Sequence, residues 1–144
     1  MLLFSAVIGA NFAACGNDAG NDEGFVRGLC EASSALRAGI QQAGKDGATS
    51  TEPGKAVDLM VAPVDAFVKS FGDLNPPKDL NDWHSDATKQ LKQTADTFRA
   101  EKKLTVLASF NDSPVPDPPA AAKARLQTVA TGVSECNGVA FLKP

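Results

Sequence analysis

The sequence predicts an all-α protein, an antiparallel four-helix bundle of up-down-up-down order with one disulfide joining its first and last helices. Three observations carry that expectation. Apolar residues recur at spacings of three and four in four separate segments, no segment sustains period-two alternation, and cysteines stand near the start of the first segment and the end of the last. At 144 residues, with 43% hydrophobic and 22% charged side chains, the chain has the size and composition of one globular domain with a modest core.

The first helix is expected over 23–43, where Phe25, Leu29, Ala32, Leu36, Ile40 and Ala43 form one apolar stripe. Asp22 is its expected N-cap, and Gly44 is expected to end it before a polar loop over 44–50. The second helix opens near Thr51 with Pro53 in its first turn, where the missing N–H does no harm. Val57, Met60, Val61, Val64, Phe67 and Phe71 make its apolar face, and Pro63 inside that face should kink or locally open the helix. Asn75, Pro76 and Pro77 stop it.

The third helix follows the prolines and runs to about Lys103, with Leu80, Trp83, His84, Ala87, Leu91, Ala95 and Phe98 in period. The apolar stretch 104–110 is too short to assign, either prolonging this helix or folding back as a flap. A proline-rich connection over 111–119 leads to the fourth helix, expected over 120–137 with Gly138 as its C′ residue. In an up-down-up-down bundle the start of the first helix meets the end of the last, which places Cys30 against Cys136. That bond would close a loop of about a hundred residues and restrict the unfolded chain.

The N-terminus is apolar or small from Leu2 to Ala10, too short to span a bilayer and of the length of a secretory hydrophobic region. Phe12-Ala13-Ala14-Cys15 resembles a bacterial lipobox, in which the cysteine receives lipid, although Phe12 stands where an aliphatic residue is usual. No Lys or Arg precedes the apolar run, which points to a translation start further upstream. The expected organisation is therefore a signal peptide over 1–14, a flexible tether over 15–22 and a helical domain over 23–144. Cysteine arithmetic agrees: of three cysteines, lipidation of Cys15 leaves Cys30 and Cys136 as a pair in an oxidising compartment. Three buried thiols in a reducing cytoplasm are the alternative.

Composition removes several function classes. Fourteen basic against seventeen acidic residues, net −3, give no basic stripe for phosphates, so no nucleic-acid partner is expected. His84 is the sole histidine and has no nucleophile or second ligand at a useful spacing, so a place in or beside the core is expected for it. Asp79, Asp82 and Asp86 suit the positive end of the third helix and do not have calcium-loop spacing. Cys-x-x-Cys-His is missing, and Met60 is the one methionine beyond the leader. No catalytic residue, metal or cofactor is expected.

One segment supports a family comparison. Leu74-Asn75-Pro76-Pro77-Lys78-Asp79-Leu80-Asn81-Asp82-Trp83-His84, preceded by Cys30 and followed by Cys136, resembles a recurrent element of small bacterial lipoproteins and secreted helical proteins. The resemblance runs over nearly the whole chain beyond Cys15 and implies a fold and an address, with no activity attached. The expected role is a non-enzymatic binding or scaffolding module of the cell envelope, extracytoplasmic, held to the membrane by its lipid and meeting an envelope protein. The alternative is a carrier of a small apolar molecule, with a pocket between the second and third helices lined by Phe67, Phe71, Trp83, His84 and Phe98.

Overall fold

The computed structural model describes residues 20–112 and 115–137. Cys15, the expected leader and Gly138 lie outside them. The described residues form α1 (Asp22–Ala48), α2 (Lys55–Gly72), α3 (Asn81–Glu101), α4 (Leu104–Asp112) and α5 (Ala120–Ala130), with 3₁₀ turns at Lys78–Leu80 and Ser134–Cys136. Among the described residues there is no strand, in keeping with the all-α expectation.

The first helix starts and ends differently from the expectation. Asn21, not Asp22, is the N-cap: its side chain accepts from Gly24 N–H at 2.6 Å. Asp22 instead pairs with Arg125 of α5, its carboxylate 2.7 Å from Arg125 Nε. Gly20 donates its N–H to the Pro76 carbonyl at 3.0 Å, so residues 20–22, assigned above to the tether, are part of the folded domain. At the other end α1 runs past Gly44 to Ala48. A glycine costs a helix interior about 1 kcal/mol, and contact with α2 offsets it here.

That contact has a clear register. A Cβ placed on Gly28 would lie 2.6 Å from Leu74 Cδ2, and one on Gly39 would lie 2.7 Å from Pro63 Cβ. Gly47 lies so close to Ala56 that a methyl group there has no room. Early α1 residues thus meet late α2 residues, and the two helices run antiparallel. Their seam is the most extensive in the molecule. Between them Gly54, at φ 82°, takes the left-handed turn that lets α2 begin at Lys55, leaving Thr51 and Pro53 in the turn rather than in the helix. Pro63 sits inside α2, where its ring takes the space that Gly39 leaves open.

The α2–α3 seam is antiparallel too. Phe71 meets Trp83 and His84, while Asp65 pairs with Arg99, and Asp58 with Lys102 at 2.6 Å. Lys102 ends α3 in the left-handed region at φ 51°, its N–H bonded to the Phe98 carbonyl at 2.8 Å. This turn separates α3 from the apolar stretch that followed it, which forms a helix of its own, α4, with Leu107 buried and Leu104 57% exposed.

The last helix is shorter than expected. It ends at Ala130, Gly132 and Val133 turn back through hydrogen bonds to the Val129 and Ala130 carbonyls, and Cys136 lies in the 3₁₀ turn beyond. Threonine and valine at 128, 129, 131 and 133, with Gly132 among them, weaken the helix at this point. The Cys30–Cys136 disulfide is formed, with Cα atoms 4.9 Å apart, and both cysteines are buried. It joins α1 to that turn rather than to a helix. Along α1 the contacts of the C-terminal segment follow in order: Arg125 on Asp22, Glu135 beside Arg27, and Cys136 on Cys30.

Candidate functional site

Four of the five residues expected to line a pocket between α2 and α3 are buried, and Trp83 packs partly buried against them. Phe67, Phe71 and Phe98 are sealed from solvent, and His84 is 8% exposed. Phe71 stacks on His84 with ring centres 4.8 Å apart and meets Trp83 edge-on at 6.1 Å. Phe25 of α1, absent from the sequence-based pocket, closes the group at 5.9 Å from His84 and 6.3 Å from Trp83. The rings fill the space between them with edge and offset contacts of the kind aromatic side chains prefer.

The chemistry of His84 follows from one bond. Its Nε2 is 2.8 Å from the Phe71 carbonyl oxygen, and a carbonyl can only accept, so Nε2 carries the proton and donates it. The imidazole is thereby tied to the end of α2 and serves to dock α3 there. Beside it the Trp83 indole N–H is enclosed with no acceptor among the described residues. No group of three or more His, Cys, Asp or Glu converges to hold a metal among the described residues.

Among the described residues, open hollows lie along the outer side of the α1–α2 seam. Two adjoining hollows share Ala32, Ala35 and Ser70. One, of about 320 Å³, is lined by Ala35, Gly39, Ala62, Pro63 and Ala66 over a floor of Leu36 and Phe67. The other, of about 410 Å³, continues past Gly28 and Leu74 to the acidic side chains of Glu31 and Asp73. The groove exists because the residues along it are small: glycine and alanine on α1, alanine and proline on α2. They bring the helix backbones together and leave nothing standing above the seam. The sequence carried a signal for it, since Gly28, Ala32, Ala35, Gly39, Ala43 and Gly47 recur at spacings of three and four residues, but a stripe of small residues has too little hydrophobicity to register in an apolar pattern.

Charge stays at the edges of the structure. Asp73 pairs with Lys69 at 2.5 Å, and that hydrogen bond and charge hold the Lys69 ammonium pKa up. Arg99 joins α3 to α2 through Asp65; its hydrogen bonds to Asp96 and Asp65 raise its pKa, while Arg99 and Lys92 lower that of Asp96. Arg125 draws together Asp79, before α3, and Asp22 of α1, and both hydrogen bonds raise its pKa. These pairs clip elements together and surround no reactive group. What the groove offers chemically is apolar contact with an acidic end, suited to receiving a surface. Comparison of the chain with protein-family models, curated proteins and solved structures finds no match.

Proposed function

We propose that this chain is a lipid-anchored, extracytoplasmic module of a bacterial envelope, and that it works by binding or scaffolding an envelope protein, without catalysis. The observation that carries the reading is the buried Cys30–Cys136 disulfide, because such bonds persist in oxidising compartments and its formation leaves Cys15 as the one unpaired cysteine of three. Cys15 follows an apolar run and a pair of alanines, the place at which lipidation and export converge. No helix among the described residues is long and apolar enough to cross a membrane, so in this reading the lipid provides the attachment. The resemblance of the Cys30, Pro76-Pro77, His84 and Cys136 order to small bacterial lipoproteins supports the same address.

The four-helix, up-down-up-down arrangement belongs to this proposal. Its support is the antiparallel register of α1 with α2 and of α2 with α3, together with the seat of α5 on α1. A carrier of small apolar molecules is the second reading, and the groove over Leu36 and Phe67 favours it at a different place from the one the aromatic residues suggested.

Fractionation tests the address. The wild-type chain is expected in the membrane fraction of its host, and Cys15→Ala is expected to leave it unlipidated and lacking fatty-acid label. Equal label and equal membrane association in both would contradict the proposal. Native mass spectrometry of the released protein separates scaffold from carrier, since a carrier retains a bound molecule.

A further inference from the structure

We propose that the end of the fold formed by residues 20–22 and 75–79 is its bilayer-facing surface, so that the domain stands end-on to a layer of lipid headgroups. The inference rests on the reading that Cys15 carries lipid, and adds to it which side of the domain the membrane meets.

The folded chain begins firmly held. Gly20 donates its N–H to the Pro76 carbonyl at 3.0 Å, and a Cβ placed on it would collide with the Asn75 carbonyl. Asn21 caps α1, and Asp22 is paired with Arg125, which also pairs with Asp79. Residues 20–22 are thereby wedged against the turn that follows α2 and cannot peel away without breaking these bonds. Between Cys15 and Gly20 stand Gly16, Asn17, Asp18 and Ala19. Five residue steps span about 18 Å at most, even fully extended. A lipid on Cys15 therefore keeps this end of the fold within that distance of the headgroups.

The rest of the domain extends away from the held end. With 27 residues, α1 is about 40 Å long, more than twice the reach of the leash. Its far end meets the start of α2, where Gly47 lies against Ala56, and the end of α3 comes to the same place through Lys102 and Asp58. Charge at the held end is not what draws it to the bilayer. Asp22, Glu23, Asp73, Asp79 and Asp82 stand there against Arg27, Lys69, Lys78 and Arg125, which leaves no surplus of cations for anionic headgroups. The short leash sets the contact.

Energy transfer to the bilayer tests the orientation. Lys78→Cys and Thr51→Cys each place one reactive thiol at an exposed position, the first at the held end and the second in the far turn. The other cysteines do not compete, since Cys30 and Cys136 are bonded and Cys15 is acylated in this reading. Each variant is purified from its host's membranes, checked for acyl mass and labelled with a donor dye. It is then placed in vesicles of phosphatidylethanolamine and phosphatidylglycerol that carry an acceptor dye on the headgroups. Transfer from position 78 is expected to exceed that from position 51 by about twofold or more, because about 40 Å of helix separates them. Inserting about ten glycine and serine residues after Asn17 should lower transfer from position 78 and narrow the gap. An acylated chain with equal transfer from both positions, or with a gap indifferent to the insertion, would overturn this inference alone. A chain without acyl mass would overturn the anchoring reading and this inference with it.

Discussion

The flank of α1 that carries Phe25 and Leu29 packs into the core with large side chains from α2 and α3, while the flank that carries Ala35 and Gly39 lines a groove with Ala62, Pro63 and Ala66. On the first flank the rings of Phe25, Phe71, Trp83 and His84 lock in edge and offset contacts, and the disulfide closes a neighbouring side of the same helix. On the second the backbones come close and a groove remains. The difference teaches that residue size separates two jobs within one helix: large side chains fill space and hold the fold, and small ones set the helix spacing and leave a groove above the seam.

Substitutions can sharpen or break that contrast, and removal of the disulfide should have the largest effect. With a sequence separation of 106, the bond restricts nearly the whole chain, and Cys136→Ser should lower unfolding stability by about 4–5 kcal/mol in urea titration. An unchanged midpoint would show that the closed flank does not rely on the cross-link. Phe71→Ala empties the centre of the aromatic group and should cost about 3–5 kcal/mol, read in the same way.

The seam between the flanks comes next. A Cβ added at Gly39 would stand 2.7 Å from Pro63 Cβ, so Gly39→Val must push α1 from α2 and should cost about 1–3 kcal/mol. Ala66→Leu, at an exposed position on the groove, should change stability by no more than about 0.5 kcal/mol. If both variants lose stability alike, the groove is packed in solution and the distinction between the two flanks fails.

The smallest effect concerns pH. Asp96 is held below its ordinary value of 3.8 by hydrogen bonds from Arg99 and Lys92, and Glu135 below 4.5 by its own backbone N–H, Ser134 and then Arg27. A carboxylate whose pKa is depressed on folding binds protons more readily in the unfolded chain. Its stabilising share is therefore present above the unfolded value and is lost as pH falls through the folded one. Asp96 is exposed and Glu135 half-buried at the surface, so solvent screening keeps the share small. Urea midpoints at pH 7 and pH 3 should show a decline in the wild type that is slightly reduced in Asp96→Asn.

How much of this was legible in the sequence differs between the two flanks. The all-α class and the Cys30–Cys136 bond followed from periodicity and from the placement of two cysteines, both strong signals. The ends of helices were less legible. Gly44 read as a stop because glycine is a poor helix former, yet packing against α2 carried α1 through it to Ala48. Thr131, Gly132 and Val133 were absorbed into an apolar period that in fact breaks at Ala130. The aromatic residues were found, but periodicity shows that a residue faces inward and does not show whether what it faces is space or another ring. The groove was hardest to see, since its evidence is the absence of side-chain volume, and Ala35, Ala62 and Ala66 resemble ordinary helix formers until two helices are laid side by side.

The measurement that tests the account most directly is the intact mass of the protein taken from its host's membranes, before and after reduction. The expected result is a chain that begins at Cys15, carries added acyl mass and gains two hydrogens on reduction as the Cys30–Cys136 bond opens. A full-length, unlipidated chain with three free thiols would contradict both the proposed address and the cross-link that closes the fold.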